Sequence, residues 1–309
     1  MKNISLKKSI TLGAFLVLAV SLGLSLAATA QDPDVNPLFT EKKVRNYLPH
    51  MTWLEVEEAL KRTDVVIIPV GSIEQHAKHL PLGTDTYGAL EACLLVAQKC
   101  EAVVAPVVLA GLSAHHMGFP GTITLTPETF EAVVYETALS LIKHGFRKVL
   151  FYNGHGGNTE SVANVIQKIN QTSGTTALNM ETVYVPPKEP LYPPIPLDVH
   201  SGVSETSGAL YLFGSLVDMS KVENPVLTFP QAMRQFMEKA KSDPAFAAVW
   251  GTMWFRPLET GKKTSTREMT NTGAVTTGDI KTATAERGRK ELEGFVTAAA
   301  KFIEEWRNK

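Results

Sequence analysis

The sequence predicts an α/β protein, a three-layer α/β/α sandwich around a mostly parallel central sheet, and three observations carry that expectation. Short apolar runs alternate with stretches of helical spacing along most of the chain, as successive βαβ units require. The run Asp64-Val65-Val66-Ile67-Ile68-Pro69-Val70 is apolar on both faces, which suits a central parallel strand and not a solvent-facing edge. With 309 residues, 44% of them hydrophobic, the chain can bury a core without disulfide staples.

The elements follow in order. Residues 51–62 have helical spacing, with Leu54, Val56 and Leu60 apolar and Glu57 and Glu58 turned out,. Strand 64–70 comes next, then helix 87–99, strand 102–108, helix 127–144, strand 148–152, helix 158–171, strand 176–183 and a closing amphipathic helix over 283–307. Residues 186–196 interrupt the alternation. Pro186, Pro187, Pro190, Pro193, Pro194 and Pro196 exclude a helix or a central strand, leaving an extended surface loop. Trp250, Trp254 and Phe255 sit in a Gly/Pro context and read equally as a satellite core or as a wall of a substrate pocket, to which Tyr192 is a further candidate. No repeat or linker divides the domain.

The front of the chain is different. Lys2, Lys7 and Lys8 precede an apolar run over residues 10–26, and Ala28-Thr29-Ala30 follows. A basic start, an apolar middle and a small-x-small end read as a secretory signal over 1–30, cut after Ala30. A polar leader over 31–47 and one domain over 48–309 then remain. The alternative is an uncleaved anchor helix. Cleavage takes three lysines and no acid, moving the formal charge from −1 to −4. Either value leaves no electrostatic case for nucleic acid or an anionic membrane surface, and the composition excludes disorder and a polytopic membrane protein. The expected location is therefore periplasmic or secreted, with no membrane association after cleavage. Cys93 and Cys100 lie seven residues apart in a predicted helix, about 10.5 Å at ~1.5 Å per residue. That is too far for a disulfide, so two buried thiols are expected unless Cys100 has already left the helix.

In open parallel sheets ligands bind outside the carboxyl ends of the strands, and three such places carry polar clusters. After strand 64–70 come Glu74 and His76, then His79 and Asp85. After strand 148–152 comes Asn153-Gly154-His155-Gly156-Gly157-Asn158, and beyond the proline-rich loop comes His200 with Glu205. Glu74 and His76 are two apart, so an extended segment points both the same way, and a carboxylate with an imidazole suits a divalent transition metal. Asp85, on a loop ending at the next helix, can fold back as a third ligand and bridge two ions. His115 and His116 are adjacent, so one lines the pocket and the other is structural. Ser72, Thr84 and Ser207 lie in no Gly-x-Ser-x-Gly elbow, which removes the case for a serine hydrolase.

Taken together, Pro69-Val70-Gly71-Ser72-Ile73-Glu74-Gln75-His76, His79-Leu80-Pro81-Leu82 with Asp85, Gly118-Phe119-Pro120-Gly121-Thr122, Asn153-Gly154-His155-Gly156-Gly157-Asn158, His200 with Glu205-Thr206-Ser207, Thr277-Gly278-Asp279 and Ala285-Glu286-Arg287-Gly288 resemble the creatininase (creatinine amidohydrolase) family over about residues 48–290. The resemblance implies a metal-dependent hydrolase of non-peptide C–N bonds in an amide, lactam or formamide, often a homohexamer. It implies two divalent ions, Zn first, with Mn or Fe as alternatives. Glu74 and His155 would hold one ion and His76 the other, with Asp85 bridging. Creatininase proper carries a ligand glutamate where this chain has Gly157; in relatives with Gly-His-Gly-Gly-Asn the later glutamate, here Glu205, takes its place. Creatinine itself is thereby a weaker expectation than a small-molecule amide. His200 is the candidate to stabilise the tetrahedral intermediate or protonate the leaving nitrogen; its other reading is a residue that orients Glu205. Two alternatives stand beside hydrolysis of a small amide: an exported small-molecule-binding protein without turnover, and a peptide-processing relative.

Overall fold

A computed structural model describes residues 42–228 and 265–307, with positions 236, 239, 243, 245, 246 and 249 between them. The expected signal, the leader before residue 42, and Trp250, Trp254 and Phe255 lie outside the described residues. The described chain runs α1 (Trp53–Leu60), β1 (Val65–Val70), α2 (Thr84–Lys99), β2 (Val103–Val104), α3 (Pro127–His144), β3 (Lys148–Asn153), α4 (Thr159–Thr172), β4 (Thr176–Asn179), β5 (Asp198–His200), α5 (Val203–Phe213), α6 (Ser265–Met269), β6 (Val275–Thr276) and α7 (Ala285–Arg307).

The strands β2-β1-β3-β4 form one parallel sheet. Along β1 alternate side chains go to opposite layers. Val65 and Ile67 pack with Leu90, Leu94, Phe295 and Ile303 on the α2, α5 and α7 side. Val66, Ile68 and Val70 pack with Phe130, Val134, Val162 and Ile169 on the α3 and α4 side. This is the three-layer sandwich, and burial on both faces is why β1 is apolar throughout,. The chain leaves β1 towards β2 and then crosses back to β3, so the order reverses between β1 and β3. The two strands stay paired to their last residues, Val70 and Asn153, and the loops that follow them leave a crevice outside these carboxyl ends.

Several boundaries differ from the sequence expectation. β2 spans two residues instead of seven because Pro106 has no N–H for the ladder; contact with β1 resumes irregularly where Val108 N donates to Pro69 O at 3.0 Å. β4 ends at Asn179, whose side chain accepts from Glu181 N and turns the chain into a 3-10 helix, Met180–Val183,. Helix α2 begins at Thr84, three residues early, so Asp85 stands in a helical first turn and not on a loop. Its polar Thr-Asp-Thr start is buried. The antiparallel β5–β6 ribbon was not anticipated, since strands of three and two residues show no period. Cys93 and Cys100 are free and buried as expected; burial pushes the Cys100 thiol up to about 12 and Cys93 well above its ordinary value, which leaves both unreactive.

Two glycines seat α2 over the crevice. A Cβ on Gly71 would fall 2.5 Å from Thr86 Cα, and one on Gly154 would fall 2.6 Å from Asp85 O and 3.1 Å from Ala89 Cβ. Only glycine at the ends of β1 and β3 lets the helix start come this close. Gly154→Val is therefore expected to cost about 1–3 kcal/mol by overpacking, read as a lower urea midpoint with an unchanged slope. A midpoint equal to the parent's would refute this packing role.

Candidate metal centre

The crevice gathers side chains from six segments. Glu74 and His76 follow β1, Asp85 starts α2, His115 and His116 lie in a 3-10 turn at Ala114–His116, His155 follows β3, His200 ends β5, and Glu205 sits in the first turn of α5. All are buried except Glu205, which is partly exposed. Asn158 ties the loops together, donating to Gly71 O at 2.9 Å and accepting from Leu112 N at 2.9 Å. The backbone is strained beside two of these residues: Ala77 and Ser201, which follow His76 and His200, have φ of 57° and 51°, an uncommon conformation for residues with a side chain.

Three histidines have their proton positions set by backbone carbonyls, which can only accept. His76 Nδ1 donates to Glu74 O at 3.1 Å, His155 Nε2 to Leu112 O at 3.1 Å, and His200 Nε2 to Gln75 O at 2.7 Å. In the neutral rings the other nitrogen carries a lone pair. His76 Nε2 faces Asp85 Oδ1 at 3.0 Å and Glu205 Oε1 at 3.4 Å, and His155 Nδ1 faces Asp85 Oδ2 at 3.1 Å. His200 Nδ1 lies 3.6 Å from Glu74 Oε1, and His116 Nε2 lies 3.3 Å from the same oxygen. At His76, His155 and His200 the lone pairs facing carboxylates repel unless a proton or a cation lies between them. Glu74 Oε2, Asp85 Oδ2 and His116 Nε2 are moreover buried without a hydrogen-bond partner. Such orphaned atoms call for a ligand. Four triads bring their donor atoms within 4.8 Å of one another: Glu74–His76–Asp85, His76–His200–Glu205, Glu74–His115–His155 and Glu74–His116–His200. A mixed nitrogen and carboxylate donor set of this kind fits Zn, Mn or Fe.

Electrostatics divide the histidines into two groups. Burial opposes protonation of His76 and His155, but Asp85 outweighs it in both, with Glu205 helping at His76 and Glu74 at His155. His76 is raised well above its ordinary value and His155 to about 9. For Asp85 and Glu205 burial favours the neutral acid, but His76 outweighs it and holds both below the usual carboxylate range, with His155 assisting at Asp85. Burial and the Asp85 charge lift Glu74 to about 7. Burial alone, or burial reinforced by neighbouring imidazoles, holds His79 at about 4, His115 at about 3 and His200 at about 4, with His116 also well below normal.

The structure thus brings Glu74, His76, Asp85, His155, His200 and Glu205 to one place. It also corrects the reading of His115 and His116. The tight 3-10 turn brings their rings together, tilted at 46° with centroids 4.1 Å apart, and both join triads on Glu74. Adjacency separates side chains on a strand but not on such a turn, and only the His-His pair itself could have flagged them. Glu205 accepts from Ser201 N and approaches His76, whereas His200 is engaged with Gln75, so orienting Glu205 falls to Ser201 and not to His200. At Gly157 a Cβ would meet both His155 Nε2 and Leu112 O at 2.4 Å. A glutamate there would break the bond that orients His155.

A family profile described as creatininase, creatinine amidohydrolase, matches residues 49–303. A creatinine amidohydrolase of Pseudomonas putida is 29% identical over 242 residues, 72% of this chain and 89% of that one. A mycofactocin precursor peptide peptidase of Mycolicibacterium smegmatis is 36% identical over 154 residues, 48% of this chain and 58% of its own length. Among solved structures, one from Bacteroides fragilis assigned as a creatinine amidohydrolase has a TM-score of 0.64 at 27% identity, covering 87% of this chain and 98% of that one. A creatininase structure with Mn has a TM-score of 0.59 at 26% identity over 87% of this chain and all of that one.

The low values of His79, His115 and His200 have a consequence for the metal-free protein. Unfolded histidines bind protons near pH 6.5, so between about pH 6.5 and 4 the unfolded chain takes up protons that these three folded imidazoles refuse, and stability falls as pH falls. Raised His76 and His155 contribute fully below pH 6.5 and do not change there; the raised carboxyls of Glu74 and Glu181 act in the opposite sense. Chelator-stripped protein is expected to show a lower urea midpoint at pH 4.5 than at pH 6.5. A midpoint that holds or rises would contradict the buried neutral state of these histidines.

Proposed function

The chain is a member of the creatininase family, a family of hydrolases, and on that premise we propose that it is a metal-dependent amidohydrolase cleaving the C–N bond of a small amide, lactam or formamide. The supporting observation is the set of ring nitrogens, fixed by backbone carbonyls and aimed at buried carboxylates with orphaned oxygens. Glu74 and His155 would hold one ion, His76 and Glu205 the other. Asp85 offers Oδ1 on the side of His76 and Oδ2 on the side of His155, so it would serve both ions. Zn is the first candidate and Mn or Fe the others; relatives are described as a creatininase of Zn-Zn type and a creatininase with Mn. Divalent ions at such a site polarise a carbonyl and make water more acidic.

The chain's own groups do the remaining work. Burial holds His200 neutral near pH 7, and its Nε2–H bond to Gln75 O keeps the lone pair at Nδ1, on the side of Glu74. There it takes the proton released as water adds to the carbonyl carbon and returns it to the leaving nitrogen. Gln75 Nε2 donates to Gly273 O at 3.0 Å and to His116 Nδ1 at 3.0 Å, which fixes the Gln75 segment that receives the His200 proton. The identity to a peptide peptidase supports a second reading, in which the amide belongs to the end of a peptide. The sequence pattern over 1–30 supports export, and the family supports a homohexamer.

Activity on a panel of amides, formamides, cyclic ureas and short peptides tests the reading. His155→Ala is expected to lose bound metal and turnover together. His200→Asn is expected to keep its metal while kcat falls by about 10²–10⁴-fold. Absence of metal-dependent hydrolysis across the panel would favour a binding protein. N-terminal sequencing of protein from the producing cell should begin at Gln31; a chain that retains Met1 and its lysines would refute cleavage.

A further inference from the structure

Against one wall of the candidate metal centre lies an open cavity of about 400 Å³ between α2, α5 and α7. Asp85 and Glu205, the two carboxylates it shares with the metal centre, line it together with Glu181 and Glu291, and the remaining lining is largely apolar, with Ala89, Ala92, Leu212, Phe213 and Phe295 among its side chains. Its size falls in the ~300–1,000 Å³ range of small-molecule sites. No Lys or Arg lines it among the described residues, so nothing there compensates an anionic group.

Two residues keep this space open. Gly88 in α2 and Gly208 in α5 both line the cavity, and a Cβ built on either meets no atom within 4 Å. Glycine inside a helix costs roughly 0.5–1 kcal/mol relative to alanine, and neither position needs glycine for packing or for a positive φ. What their small size provides is volume beside the two carboxylates. Gly288, which lines the same cavity, differs: a Cβ there would strike Ser207 O at 2.1 Å, so its role is to let α7 approach α5.

We propose that this cavity receives an uncharged apolar group of ring size on the substrate, so that the amide hydrolysed is an arylalkyl or branched-alkyl amide and not a compact polar ring such as creatinine. This rests on the amidohydrolase reading above. The cleaved bond lies at Asp85 and Glu205, and the apolar group extends from it between α2 and α5. A small polar ring would leave the alanine, leucine and phenylalanine wall without a partner, whereas each methylene buried there is worth about fourfold in affinity.

Ligand-observed NMR with phenylacetamide and acetamide tests this on both metal-loaded and chelator-stripped protein. Phenylacetamide is expected to bind at least tenfold more tightly than acetamide, and Gly208→Leu, which fills the space, is expected to abolish that preference. Gly208→Ala serves as the folding control and should retain the preference, because a methyl group occupies little of the cavity. Equal binding of the two amides by the parent protein, or a preference that survives in Gly208→Leu, overturns the proposal. The stripped protein reports on the cavity even where metal-dependent turnover is absent, so failure of the hydrolase reading and failure of the cavity assignment give different results.

Discussion

Everything in the crevice depends on one electrostatic constraint: buried carboxylates face ring nitrogens whose only spare feature is a lone pair. Backbone carbonyls at Glu74, Leu112 and Gln75 take the ring protons of His76, His155 and His200, and a carbonyl cannot reverse its role. Without a cation the site relieves the repulsion by holding protons on His76 and His155 and by lifting Glu74 to about 7. With a cation the same geometry becomes a ready donor set. Desolvation of this extent is costly for unpaired charges, so the arrangement is intelligible as a site built to hold positive charge.

The fold supplies that geometry by a single topological feature. The reversal of strand order between β1 and β3 places the Glu74–His76 loop and the His155 turn on facing sides of a gap, and the close approach of α2 at Gly71 and Gly154 drops Asp85 between them. A separate antiparallel ribbon, β5–β6, delivers His200, and the turn after it delivers Glu205. Strain at Ala77 and Ser201 lies directly beside two of the site residues, where neighbouring contacts hold it in place.

Much of this was legible from the residues. The both-faced apolar run at 64–70 identified the central strand, and polar residues after strands 64–70 and 148–152 located the crevice, because parallel sheets place ligands there. Asp85 was legible as a candidate ligand but not as a helical residue, since the polarity of Thr84, Asp85 and Thr86 hides their burial. Neither β5 nor β6 is long enough to show periodicity. His115 and His116 were misjudged because the backbone of a 3-10 turn, unlike a strand or an α-helix, leaves no pattern that tells where neighbouring side chains go. The cavity beside Gly88 and Gly208 was invisible for a related reason: it is made by three helices distant in sequence, and its defining residues have no side chains.

The central claim, that these carboxylates and imidazoles are a two-ion site, is tested most directly by calorimetric titration of Zn into chelator-stripped protein at pH 7.5 in buffers of different ionisation enthalpy. Ligation requires deprotonated imidazoles, and His155 and His76 hold protons at that pH in the empty site. The account predicts two equivalents of Zn bound per chain with net release of protons to the buffer. Binding of less than one equivalent, or binding with no proton release, would contradict it.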